Sequence, residues 1–139
     1  MPTFKDINSL FKHIETQIQD TMVDEVAETV KENMAESIQE KVYDAYDPQH
    51  YTRRMQNGGL IDKNNMEVTE IPDGISVRDV APLDNKRTDY ALDEIVVEGM
   101  GYMPWARDFY FDTADKLSAN HEHVTALKQG LNKRGIKCD

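Results

Sequence analysis

Apolar residues recur every three or four positions from Ile7 through Phe11, Ile14, Ile18, Met22, Val26, Val30, Met34 and Ile38 to Val42, and no Gly or Pro interrupts Phe4 to Asp47. That spacing draws one apolar stripe along a helix. Thr3 followed by Asp6 resembles a capping box with Asp in place of Glu, and Pro48 disfavours helical geometry at Asp47, so both ends are bounded. A single rod of this length measures roughly 60 Å at ~1.5 Å per residue. A core of this size does not cover that, so the helix either bends near Asp20 and Thr21 or packs partly on another chain.

The period changes over residues 66–98. "MEVTEI" alternates apolar and polar, "GISVRDV" does so again after the turn signal "PDG", and "YALDEIVVEG" is a third β-rich run around Ile95 to Val97. These predict a small antiparallel sheet of three to four strands, with "APLDNKRTD" as a protruding loop. Helical spacing returns at Ala114, Leu117, His121, Val124, Leu127 and Leu131, predicting a second helix over roughly Trp105 to Arg134 with Gly135 as its cap. The expected fold class is α+β, a long N-terminal helix, a small antiparallel sheet and a C-terminal helix in one domain over 1–139.

Charge narrows the function. Lys plus Arg total 16 against 26 Asp plus Glu, a formal charge of −10, which repels duplex DNA over most of the surface. Residues 1–50 hold eleven acids and four lysines, whereas the last stretch "LKQGLNKRGIK" is basic. Glu28, Glu32, Glu36 and Glu40 stand at i, i+4 spacing, where like charges cost a little stability. They read either as a solvated face or as a surface turned toward a polyanion without sticking to it. Cys138 is the only cysteine, which fits a reducing cytoplasm. Neither a membrane span nor a signal core is expected, and hence no membrane partner.

Chemistry finds no foothold in the motifs. His121 and His123 are two apart on a helix and cannot share one metal, with His121 expected at the core edge and His123 in solvent. "GMG" at 99–101 and "NGGL" at 57–60 lack the partners of a dinucleotide or phosphate loop, and no nucleophile elbow surrounds any serine. The expectation is therefore no enzyme, no metal and no cofactor. Aromatic and Arg residues remain: Tyr43, Tyr46, Tyr51, Arg53 and Arg54 before the glycines, then Tyr102, Trp105, Arg107, Phe109, Tyr110 and Phe111 after the sheet. Such a mixture marks interface hot spots or base-stacking platforms, and overall acidity favours a protein partner. Trp105, Phe109 and Phe111 serve equally as core. "YTRRMQNGGLIDKNNM" reads as the turn from helix into sheet, with Gly58 or Gly59 at positive φ ahead of Leu60. Arg53 and Arg54 are then available to a neighbour's acids, and Tyr46, Tyr51, Trp105 and Arg107 complete the subunit-interface candidates.

The layout "VDEVAETVKENMAESIQEKVYDAY", then "RRMQNGGLID", then "YALDEIVVEGMGYM" and "PWARDFYFDTADKL" resembles the head-tail joining, or tail-completion, proteins of long-tailed bacteriophages. Gly58, Gly59 and Leu60 stand at the family's turn, Glu98 and Gly99 at its strand end, and Pro104 with Trp105 at its Pro-Phe position. "YDAYDPQHYTRR" before the glycines is similar to the form carried by phages of Gram-positive bacteria. The resemblance covers residues 23–134, leaving 1–22 as a helical extension and 135–139 as a tail. It implies a virion structural protein made in the host bacterial cytoplasm. That protein is a ring-forming homo-oligomer at the neck, touching other neck, portal-adaptor or tail proteins, with DNA only as passing cargo. On this reading Glu28, Glu32, Glu36 and Glu40 are channel-facing. A minor tail component of the same fold is close to it. A small acidic regulator that imitates DNA and binds a host protein is the alternative from another class.

Overall fold

The computed structural model describes residues 3–45, 55, 57–72, 74–82, 91–99 and 106–138. Over them the chain is α+β. Helices α1 (Ile7–Thr21) and α2 (Ala27–Ile38) lead to a hairpin of β1 (Met66–Ile71) and β2 (Gly74–Asp79), and α3 (Leu92–Glu98), α4 (Phe109–Asn120) and α5 (Glu122–Lys133) follow.

Helices α1 and α2 belong to one helical run that continues to Tyr43. Two wide turns, Met22–Val26 and Gln39–Tyr43, interrupt the α pattern, and in them an N–H reaches five residues back: Ala27 to the Met22 carbonyl, Asp44 to that of Gln39 at 2.8 Å. The sequence explains them. From Ile14 to Val42 the apolar positions come every four residues, and each such step overshoots a 3.6-residue turn by about 40°. An added residue in one turn takes back roughly 100° and keeps the stripe on one side. The first wide turn falls beside Asp20 and Thr21, where the sequence suggested a bend. The run starts later than the capping pattern predicted. Asp6, not Thr3, is the cap, its carboxylate accepting from the Ser9 N–H at 2.8 Å, so the helix begins at Ile7 rather than Phe4.

Only the second half of the stripe is in the core. Met34, Ile38 and Val42 are buried with Tyr43, Leu60, Ile61, Met66, Ala81, Val96 and Phe109. Strands β1 and β2 pair antiparallel from Met66 opposite Asp79 to Ile71 opposite Gly74, the short connection expected at "PDG". Met66 and Asp79 therefore share the covered face with Val68 and Val77.

Three further expectations are corrected. The sheet among the described residues has two strands, because "LDEIVVE" is helix α3. Ala91 is extended, Glu94 accepts from the Ala91 N–H at 3.4 Å, and Gly99 closes the helix at φ +74. These end signals override the β propensity of Ile95, Val96 and Val97. The C-terminal helix is two helices. Asp108 caps α4 by accepting from the Phe111 N–H at 2.9 Å, so it starts at Phe109 rather than Trp105. His121 then takes a left-handed conformation, φ +55, and the Asn120 side chain accepts from the Glu122 N–H at 2.9 Å. The break resets the helical phase, so His121 is exposed and His123 half-buried, the reverse of the expected arrangement.

Helix α5 crosses the α1–α2 junction at Gly130. A Cβ there would run into Thr21 Cγ2 and stand 3.0 Å from Glu25 Oε2. Arg134 fastens the crossing, with Nη1 2.7 Å from Glu25 Oε2 and Nη2 2.8 Å from Asp24 Oδ2. Gly135 at φ +88 then turns the chain, and the Ile136 N–H returns to the Leu131 carbonyl at 2.9 Å.

Candidate interaction surfaces and a buried acid cluster

At the turn singled out in the sequence, Gly58 holds φ +97 and donates its N–H to Asp62 Oδ2 at 2.9 Å. Gly59 is the tight position, since a Cβ there would lie 2.7 Å from both the N and O of Met55. Leu60 goes into the core. Tyr46, Tyr51, Arg53, Arg54 and Trp105 lie outside the described residues. Arg107 is inside the fold, 6% exposed, with its N–H donating to the Val96 carbonyl at 3.1 Å. It packs within the chain rather than on an exposed contact surface. Phe109 is core, as one reading of the aromatics had it, whereas Phe111 is 71% exposed.

The acidic stripe has cations of its own chain beside it. Lys63 Nζ is 2.8 Å from Glu28 Oε1 and 3.6 Å from Glu32 Oε1, and Lys116 Nζ is 2.7 Å from Glu40 Oε2. The Glu28 hydrogen bond raises the Lys63 ammonium above its ordinary range, and the same bond lowers Glu28. Glu36 stands exposed on the same stripe. Lys63 and Lys116 come from distant parts of the chain, which the i, i+4 pattern of glutamates does not reveal.

At the other end of the rod, α1 carries an uncovered apolar edge. Ile7 is 65%, Phe11 56% and Ile18 38% exposed. The hairpin tip reaches α1 through polar atoms, Gln19 Nε2 donating to the Gly74 carbonyl at 3.2 Å and to Glu70 Oε1 at 3.4 Å. Between α5 and Asp24, Glu28 and Thr29 lies a groove of about 410 Å³ with Gln129 and Lys133 on its far wall.

Beneath β2 is a cluster that the sequence reading did not isolate. Asp93, at the start of α3, is 3% exposed and accepts from Arg78 Nε at 3.0 Å and from the Tyr110 hydroxyl at 2.6 Å. Burial alone would raise its carboxyl, but these bonds outweigh it and hold the group below the usual range. Tyr110 in turn accepts from the Asp79 N–H at 2.9 Å, and burial followed by its bond to Asp93 pushes its phenol up. Asp79 is 1% exposed; Oδ1 accepts from the Ala81 N–H at 3.0 Å and Oδ2 has no hydrogen-bond partner among the described residues. Burial first, then the Asp93 and Asp62 charges, push its carboxyl up to about 7. So high a value is shared by general acids and by structural buried acids, and Asp79 is closed to solvent. What the arrangement does is tie β2, α3 and α4 together. Strand parity held the clue, since Asp79 falls on the same side of the hairpin as Met66.

A family model described as YomN, of phage and prophage type, matches residues 6–133. No curated protein and no solved structure matches the chain.

Proposed function

The chain belongs to the YomN family, and from that premise we propose that it is a virion structural protein, a ring-forming head-tail connector or tail-completion subunit at the neck of a long-tailed phage. One observation carries the reading: a helical rod that continues well beyond its own core and presents Ile7, Phe11 and Ile18 to solvent. A chain acting alone gains nothing by leaving that stripe wet, whereas a subunit covers it with a neighbour. The layout resemblance and the phage-type family point the same way. In this role the chain performs no catalysis and holds no cofactor. Glu28, Glu32, Glu36 and Glu40 face passing DNA or the ring exterior, with Lys63 and Lys116 moderating their charge so that the surface neither binds nor strongly repels the genome. The same two lysines count against a regulator that imitates DNA, because they sit on the negative charges such a protein would display. No described helix is long and apolar enough to cross a membrane.

The test is a phage lacking the chain. The proposal expects filled heads and finished tails that accumulate unjoined, restored to joined particles when the chain is supplied. Joined, infectious particles without it would sink the proposal. A block before any heads are made would favour the regulator.

A further inference from the structure

The exposed part of α1 is more than a leftover of a long helix. Ile7, Phe11, Ile14 and Ile18 follow one another by four, three and four, the a/d spacing of a coiled-coil seam. Downstream of Ile18 the seam is closed by the chain itself, because Thr21 is fully buried under Gly130 of α5. The open seam is thus one short, bounded helix face, and its largest side chain, Phe11, is 56% exposed.

Charge selects the occupant. Two copies of a −10 chain repel over most of their surfaces. Yet residues 7–19 hold only Lys12 and Glu15 as opposite charges, a net of zero. By contrast, residues 20–40 hold seven acids and one lysine, a net of −6. The neutral segment is also the apolar one, so a second copy meets there what it meets least elsewhere: apolar side chains without like charge.

Charge also selects the orientation. Pairing two rods in parallel lays Asp20, Asp24, Glu25 and Glu28 of one copy beside the same residues of the other. Antiparallel pairing sends the acidic halves to opposite ends, well beyond the ~8 Å over which physiological salt leaves exposed charges interacting. With the seam residues in register, Ile7 of one copy lies against Ile18 of the other and Phe11 against Ile14. We infer that α1 is a self-association surface on which a second copy of this chain docks antiparallel through Ile7, Phe11, Ile14 and Ile18.

The contact is isologous and closes a dimer by itself, so it names the neighbour that covers this stripe in the neck reading, on which it rests, and leaves ring closure to a further, heterologous surface. Phage particles test the neck reading, and the two fail separately because a dimer in solution can form without any place in the particle. Its own test is sedimentation equilibrium of the full-length chain over a wide concentration range, beside Phe11→Asp with its helicity checked by circular dichroism. Because Phe11 is largely exposed, the substitution leaves the monomer folded. A reversible dimer is expected, with Phe11→Asp raising its midpoint concentration at least roughly thirtyfold, the effect of losing one anchor side chain. Orientation is read in a Cys138→Ser background under mild oxidation. Ile7→Cys chains mixed with Ile18→Cys chains should cross-link to each other, and each alone should not.

A wild-type chain that stays monomeric throughout would overturn the inference, as would a dimer indifferent to Phe11→Asp. So would a monomer that uses α1 to hold a different protein. Cross-linking of Ile7→Cys chains among themselves would overturn the antiparallel arrangement.

Discussion

Gly130→Ala is the sharpest single probe of how α5 is seated. Taken as a helix residue alone, the change should stabilise, since Gly in a helix interior is about 1 kcal/mol worse than Ala. Taken in place, the added Cβ collides with Thr21 Cγ2 and comes within 3.0 Å of Glu25 Oε2 and 3.2 Å of Glu25 Cδ. Thr21 cannot easily yield. It is fully buried, β-branched, and its hydroxyl donates to the Gln17 carbonyl at 2.7 Å. Glu25 is likewise held, by Arg134. Overpacking of this kind costs about 1–3 kcal/mol. The collision outweighs the propensity gain, for a net loss of up to about 2 kcal/mol if the helices shift only slightly. Urea unfolding followed by circular dichroism reads this directly. Repeating it in a Thr21→Ala background removes the opposing methyl, so the penalty should shrink or change sign. A Gly130→Ala protein more stable than wild type in the Thr21 background would refute the close crossing, and the placement of α5 with it.

The buried cluster gives a pH-dependent prediction. Asp79 holds its proton more tightly folded, near 7, than unfolded, near 3.8. Its contribution is therefore full below about pH 4 and is lost as pH rises through 7. Asp79→Asn should raise Tm relative to wild type at pH 8, and the difference should fade toward pH 5; parallel Tm profiles would show that Asp79 is not buried as described. Asp93 works in the opposite sense, stabilising above about pH 4 and losing that contribution in acid. Tyr110→Phe removes the hydroxyl shared by Asp93 and the Asp79 N–H and should cost about 1–3 kcal/mol in urea at neutral pH, a deficit that narrows in acid as Asp93 takes up its proton. Lys63→Gln, which breaks exposed pairs to Glu28 and Glu32, should change stability by less than about 1 kcal/mol. A larger loss in chemical denaturation would mean that the glutamate face depends on that lysine.

What the sequence made legible was what short-range periodicity encodes. The apolar stripe from Ile7 to Val42 reads directly as helix, and the alternation around "PDG" as a hairpin. Helix α3 was missed because its core residues, Ile95, Val96 and Val97, are β formers, while the signals that decide the matter, Glu94 folding back on Ala91 and Gly99 at positive φ, sit at its ends. The break at His121 leaves no breaker residue to read, since it rests on a left-handed histidine and an Asn120 side chain. The glutamate stripe was visible, but its partners Lys63 and Lys116 were not, because only the folded chain brings them near. The Asp79, Asp93, Arg78 and Tyr110 cluster draws on three elements and has no linear motif at all.

As a neck subunit the chain would be a built-in part of the particle. Tailed particles purified through two density steps and quantified by mass spectrometry against the portal protein test it most directly. A neck subunit should be present in several copies per particle, in a ratio to the portal protein that does not change from one preparation to the next. A chain abundant in infected cells but absent from such particles would rule out a place in the neck.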